Sequence, residues 1–392
     1  MICLETFEDF LKRIVTIVFW LLLLLPLIVF PLIFLIVPVL GLPISTVNKI
    51  LVGLIDPLKM LPLVDGLGIG PSSLFFKIAA FPGFTFAALI ATLVILYERK
   101  LLAKVQVRVG PLYAGRFEGV LQPIADLFKL LFKEILIPEK ADKPFFFAAP
   151  LISLAAGAAL LAVIPLSPTI YIAKSEVSLL IPFAIIGFSP LIILIAAWAS
   201  SNKFAFIGGL RALHQMIAYE IPMLISLLGV VILSGSLDLF GIVEAQARLG
   251  VWFIFPQLLG ASIFYITILS ELERIPFDLP EADTELVSGW MTEYSGMHFG
   301  LLQLATYVKL YALAVLFTLI FLGGWLGPPF LPPFAWLLIK LFFVITMILL
   351  PRAFMPRVRI DQLIKLGWVW LIVLSFVNLF IAIIEASLLG VL

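Results

Sequence analysis

Residues 252–270 read WFIFPQLLGASIFYITILS, and residues 271–285 read ELERIPFDLPEADTE. The first stretch carries no charge and matches the roughly 20 apolar residues that cross a hydrocarbon core. The second packs Glu271, Glu273, Asp278, Glu281, Asp283 and Glu285 around the single base Arg274. Pro276 and Pro280 forbid a regular helix directly after the apolar run, so the backbone must fold back as an irregular loop. From Pro280 a helix can start again, with proline in its first turn, and Glu281 and Glu285 then share one face with Asp283 to the side. Like charges so placed and shielded from water repel, and at least one carboxyl should keep its proton near neutral pH. Coupled carboxyls at the end of a span are what a proton relay requires. The bland alternative is a solvated acidic loop. Against it, Phe277, Leu279, Leu286, Val287 and Trp290 alternate with the acids and belong in a packed environment.

Outward from this junction the chain is apolar almost throughout. Of 392 residues, 63% are hydrophobic and 12% charged, about half the charge of a soluble domain. Apolar runs give nine candidate spans, at 14–40, 78–97, 145–166, 178–199, 211–234, 252–271, 299–322, 334–351 and 368–390. The fold class is therefore all-α, a polytopic transmembrane helix bundle. Pro26, Pro31 and Pro38 should kink the first span near its end. With the N-terminus inside, the inner segments hold eighteen Lys and Arg and the outer ones five, so an odd count, nine, with the C-terminus outside fits the positive-inside bias. The inner loop 98–144 contains a stretch, Leu121 to Glu134, with apolar residues at roughly helical spacing and Asp126, Lys129 and Lys133 between them. It reads as an interfacial amphipathic helix. The inner loop 271–298 has seven acids and one arginine, the reverse of every other inner loop.

Composition also excludes. The net charge of +1, with no basic run interleaved with aromatics, speaks against a nucleic-acid partner. Cys3 is the only cysteine, so the chain forms no internal disulfide and cannot ligate an iron–sulfur cluster or structural zinc by itself. His214 and His298 are the only histidines; no cofactor or metal is expected to be bound by this chain. Scarce asparagine (Asn48, Asn202, Asn378) fits a thermophile source. Glu5, Glu8 and Asp9 ahead of a long first run do not resemble a cleaved signal.

The loop Glu-x-x-Arg-x-Pro-Phe-Asp-Leu-Pro-Glu-Ala-Asp-x-Glu-Leu, followed by Glu293-Tyr294-Ser295-Gly296-Met297, resembles the signature of the ND-one (H-type) membrane subunit of proton-translocating NADH:quinone oxidoreductase, respiratory complex I. Upstream, Glu98-Arg99-Lys100, Gln106, Arg108, Gly110-Pro111 and residues 121–126, with Lys129 and Lys133-Glu134, match the same family, as do residues 215–222, QMIAYEIP. The resemblance runs from about Phe81 to the C-terminus. Residues 1–75 lie outside it and look like an added helix and outer segment before a membrane domain at 76–392, one span on the family's eight.

The resemblance implies a membrane subunit whose inner loops roof a quinone chamber against a peripheral redox arm. Arg108, Asp126, Arg274, Asp278, Glu281 and Glu293 match its lining. Glu220, Glu271, Glu281, Asp283 and Glu285 match the acidic proton path toward antiporter-like subunits, with quinone as substrate and the iron–sulfur cluster in a peripheral partner. It further implies the cell membrane as location and membrane lipid as a neighbour. Glu220 stands out because it falls inside a span; the plain alternative is a structural carboxyl paired with Arg211 or hydrogen-bonded to a neighbouring helix. Leu112 stands where the family usually has Asn, His298 where Lys or Arg is frequent, and Thr306 where a Glu precedes Tyr, with Lys309 three residues on. The Thr306 departure points toward an archaeal or hydrogenase-linked relative.

Elsewhere, Lys340 is expected to snorkel, Glu385 to be interfacial, His214 to pack in its helix, and Trp325, Trp336, Trp368 and Trp370 to form an aromatic belt. Arg352, Arg357 and Arg359 suit acidic lipid heads or an inner partner. Two rival functions remain: the anchoring subunit of a membrane-bound hydrogenase or ferredoxin-dependent reductase, and a stand-alone transporter. The second should show internal repeats, and none is seen.

Overall fold

A computed structural model describes residues 77–78, 81–115, 119–281 and 283–388, with the backbone alone for Asp283 and Thr284. The expected span at 14–40 lies outside the described residues. Contacts divide the chain into two units. Of the first, only 111–115, 119–122 and 328–332 are described, and its Leu121 N–H donates to the Ala114 carbonyl at 3.2 Å. The second unit, 74–110, 123–327 and 333–392, carries the fold.

That unit is helical, and no strand occurs among the described residues. Helix α1 is Phe84–Val105, α2 Gln122–Phe132 and α3 Lys143–Val163. Then come α4 Leu180–Ala199, α5 Lys203–Ser234, α6 Leu239–Leu249 and α7 Leu258–Glu271. A single turn, α8 (Asp283–Leu286), precedes α9 Gly296–Phe321, α10 Pro333–Phe354 and α11 Ile360–Leu388. Helices α3, α4, α5, α9, α10 and α11 are long and apolar enough to cross a membrane. Expected spans 78–97 and 252–271 correspond to α1, which runs on into the charged residues 98–104, and to the shorter α7. The amphipathic stretch forms α2 as expected.

Helix α9 is the axis, 72% buried along its most apolar stretch, against 28% for α11. Around it pack α1, α3 and α10; α5 packs on α4, α7 and α11. Small residues set the approaches. A Cβ on Gly157 of α3 would lie 3.4 Å from Val308 of α9, and one on Gly367 of α11 would lie 3.0 Å from the Ala218 carbonyl of α5. Helix α4 breaks at Gly187 and Phe188, just before Pro190, whose ring denies the helix a backbone donor.

Two features place the site. Helix α7 has fourteen residues and rises only about 21 Å, short of the roughly 30 Å core. The loop after it therefore starts at the depth of mid-α9, where irregular backbone survives only if buried or lining a cavity. The loop meets that condition: the Arg274 N–H donates to Leu269 (3.1 Å), the Phe277 N–H to Arg274 (2.7 Å), and the Val358 N–H returns to Pro276 (3.1 Å). At the other end of α9, Lys340 does not snorkel. Its buried ammonium donates to the carbonyls of Leu322 (2.7 Å), Gly324 (3.0 Å) and Leu326 (2.6 Å) and lies 4.6 Å over the Trp252 ring. The helix end left unpaired carbonyls in a dry place, and a cation from the next helix, α10, answers them.

Candidate functional site

The acidic loop, α1, α9 and α10 enclose a cavity of about 300 Å³. Helix α1 contributes Glu98, Arg99 and Leu102; the loop Leu272, Glu273, Arg274, Ile275, Asp278 and Glu281; α9 Gln303, Thr306 and Tyr307; α10 Arg352. Its polar wall is organised by Glu98, which is 2% exposed at the point where the apolar run of α1 ends. One carboxylate oxygen accepts from Arg274 at 2.6 Å and from Arg352, and the other accepts from the Tyr307 hydroxyl at 2.8 Å. The Arg274 guanidinium also lies 5.0 Å from the Tyr307 ring centroid. Burial works against the Arg274 charge, yet Glu98, Tyr307 and Glu281 together hold its pKa above the ordinary value.

Glu273 sits beside this clamp on strained backbone, with φ at +52°, a left-handed conformation that a residue with a side chain rarely takes. It is buried, and one oxygen accepts from the Trp290 indole at 3.2 Å while the other meets no protein donor among the described residues. Burial, reinforced by the charge of Glu281, pushes its carboxyl up to about 8. A group so placed keeps a proton at neutral pH and can release it when negative charge disappears, or donate it when negative charge arrives.

A second, smaller cavity of about 50 Å³ lies along α9 and includes Glu271, Trp290, Thr306, Lys309 and Met216 in its wall. Thr306 borders both cavities. In the smaller one Lys309, near the middle of α9, donates to Glu271 at 2.6 Å, and the two side chains are 12% and 2% exposed. Glu220 of α5 lies within the electrostatic field of both Lys309 and Glu271. Its carboxyl occupies the notch at the α4 break: a Cβ on Gly187 would stand 2.5 Å from it.

Of the residues expected in a chamber, Arg274, Asp278 and Glu281 line the larger cavity. Asp278 pairs with Arg357 at 2.9 Å. Asp126 of α2 pairs with the lining Arg99 at 2.6 Å. Arg108 lies exposed on the turn after α1, and Glu293 accepts from Asn202 at 2.6 Å, so neither is in the lining. Of the expected path, Glu271 and Glu220 come together around Lys309, and Glu281 faces the larger cavity. The expected helix from Pro280 is cut to one turn, so Glu281 precedes it and does not share a helical face with Glu285. Glu285, half exposed, pairs instead with Arg211 at 2.5 Å, which removes Arg211 as a partner for Glu220. The side chain of Asp283 is outside the described residues.

Sequence reading did not single out Glu98, Glu273, Gln303 or Tyr307 as site residues, and it gave Arg352 to acidic lipid heads or an inner partner. A carboxylate closing an apolar run was the available signal for Glu98. For Tyr307 and Arg352 there was none, because their partner comes from a distant helix. His214 is exposed and bonds the Leu210 carbonyl of its own helix, at 2.7 Å. Glu385 accepts from the buried amide of Gln257 at 2.7 Å.

A family described as NADH dehydrogenase matches residues 78–383. The H-type subunit of NADH-quinone oxidoreductase from Geobacillus thermodenitrificans is 44% identical over 300 residues, 76% of this chain and 90% of that protein. That of Bacillus cytotoxicus is 46% identical over 290 residues, 73% and 86%. That of Bacillus mycoides is 42% identical over 329 residues, 81% and 97%. These relatives are bacterial, of the Bacillus type, and not archaeal as Thr306 had suggested.

Proposed function

Because the chain belongs to the NADH dehydrogenase family, we propose that it is the membrane subunit of a complex I-type oxidoreductase whose loop-and-helix cavity receives the quinone. The observation that carries this reading is the cavity of about 300 Å³ beside the end of α7, with Glu98, Arg274 and Tyr307 locked together in its wall. A quinone takes up two electrons and two protons to become a quinol. Its electrons would have to come from outside this chain, as from an iron–sulfur cluster in a peripheral partner subunit, because one cysteine and two histidines make no ligand set for such a cluster here. Arg274 and Arg352 supply positive charge where negative charge develops on the ring oxygens, and their fixed pairing with Glu98 keeps them in place beforehand. Glu273 and Glu281 are the acids that can supply protons from the loop side. Glu271, Lys309 and Glu220 then carry the resulting change of charge through the helices toward antiporter-like membrane subunits.

The names of the relatives, all H-type subunits of NADH-quinone oxidoreductase, favour this reading over the hydrogenase or ferredoxin-linked anchor and over a stand-alone transporter. On the same reading the chain sits in the cell membrane with its N-terminus inside and its C-terminus outside. Residues 1–75, which lie outside the described residues, are on this reading an addition ahead of the family domain at 76–392. The test is Glu220→Gln in the assembled complex, in sealed vesicles. Proton translocation per quinone reduced should fall; if quinone reduction and translocation both continue at the parent ratio, Glu220 is not in the path.

A further inference from the structure

We propose that Lys309 is a switchable counter-charge shared by Glu271 and Glu220, and that Thr306 is the wall across which the larger cavity acts on it. The proposal rests on the reading above and names the residue that does the coupling within it. An ammonium near the middle of an apolar helix is costly unless something holds it. A static buried ion pair would satisfy that need, so the question is what distinguishes this lysine from a strut.

Three observations do. The first is stoichiometry. At Glu98 two guanidiniums and a phenol grip one carboxylate, which leaves no freedom. Around Lys309 one ammonium is bonded to Glu271 at 2.6 Å and acts through space on two further carboxyls, Glu220 and, from the larger cavity, Glu273. The second is room. The ammonium and Glu271 both border a cavity of about 50 Å³, several times the roughly 10–15 Å³ that one water requires, and a lysine stem has four rotatable bonds with which to use it. The third is position. Thr306, one helical turn before Lys309, is the residue that borders both cavities, and its hydroxyl is turned onto the Leu302 carbonyl of its own helix at 3.1 Å. Thr306 itself offers the lysine no carboxyl, so from the larger cavity the ammonium is reached through space by Glu273.

The step is a proton and charge movement with no electron transfer. With both carboxyls ionised the ammonium stays on Glu271. When a proton reaches Glu271 its charge vanishes, and the ammonium moves its attraction to Glu220, the remaining anion. When the proton leaves Glu271 the ammonium returns. Glu220 thus alternates between a lone and a paired carboxylate, and that alternation is what the next element can sense.

The experiment uses the whole complex in sealed vesicles, with Lys309→Arg, Lys309→Gln and the double variant Lys309→Gln/Glu271→Gln, and reads protons translocated per quinone reduced. An arginine keeps the charge and the pair, but its rigid fork bonds both Glu271 oxygens and releases them poorly. The expected result is an assembled Lys309→Arg complex whose ratio falls at least about fivefold, the low end of ordinary coupling between sites. The double variant removes both buried charges, so it assembles even where Lys309→Gln does not, and its ratio should fall as far. A parent-like ratio in Lys309→Arg or in the double variant would overturn the switch and leave a strut. Loss of quinone reduction in Arg274→Gln, a chamber residue, tests the underlying reading separately. If that variant reduces quinone normally, the chamber assignment fails, whatever Lys309 does.

Discussion

Glu98→Gln is the sharpest test of how the cavity wall is held. The amide keeps the shape and one acceptor, so the carbonyl can still face the two arginines while the NH₂ turns to the Tyr307 oxygen. What disappears is the negative charge between two guanidiniums. Arg352 is 42% exposed, and water screens most of its loss, leaving about 0–1 kcal/mol. Arg274 is 10% exposed and Glu98 2%, so breaking their pair leaves a buried cation with only the weaker through-space support of Glu281, at a cost of up to about 3–5 kcal/mol. Against a total stability of roughly 5–15 kcal/mol for a folded domain, that is enough to lower the fraction of complex surviving a graded heat challenge. The double variant Glu98→Gln/Arg274→Gln removes the stranded cation and should survive better than the single one, the signature of a non-additive pair. Heat survival of Glu98→Gln equal to the parent, or a double variant whose loss relative to the parent equals the sum of the two single losses, would refute the clamp.

Other outcomes follow from the same geometry. The fold raises Glu273 from its ordinary 4.5 to about 8, so it favours the protonated form. The stability this contributes is complete below 4.5 and is lost as pH rises through about 8; heat survival should decline over that window, and Glu273→Gln should flatten the decline. An unchanged slope in that variant would assign the pH dependence to another group. Lys340→Met strips three carbonyls of their donor and should lose at least about 1.5–3 kcal/mol, the worth of one charge-assisted bond. It would be read as reduced heat survival, and a variant as robust as the parent would show those carbonyls to be solvated. Gly187→Ala puts a methyl 2.5 Å from the Glu220 carboxyl, a flexible group that can move aside. Assembly should hold while protons per quinone fall, and a parental ratio would mean that the notch does not set the position of Glu220.

The helical bundle was legible because apolar runs of span length admit little else, and the prolines of 276 and 280 announced the loop that closes the cavity. Helix α6 was missed, although Asp238 caps it by accepting from the Phe240 N–H at 3.2 Å and Gly250 ends it at φ +67°. A search for span-length runs passes over eleven residues. The start of α7 was set too early because Phe253 to Gln257 read as part of an apolar run while they form turns. Glu98 was beyond reach for a different reason. Its three partners are 176, 209 and 254 residues away, so no local spacing encodes the clamp; only the packing of α1 against α9 and α10 brings it together.

The two buried carboxylate groups show why one cavity wall is rigid and the next is not. Tyr307 and Lys309 lie two residues apart on α9 and so point to different sides of it, one into the larger cavity and one into the smaller. Glu271 and Arg274 lie three residues apart across the end of α7, where the helix gives way to the loop. The same two chain segments therefore build both clusters, and displacement of either segment is felt in both. An Arg–Glu–Tyr clamp with an excess of donors resists such displacement, whereas a single lysine between two acids absorbs it by changing partner. A full-length α7 would carry Glu271 past mid-α9, away from Lys309, so the shortness of that helix is the feature that joins the chamber to the path.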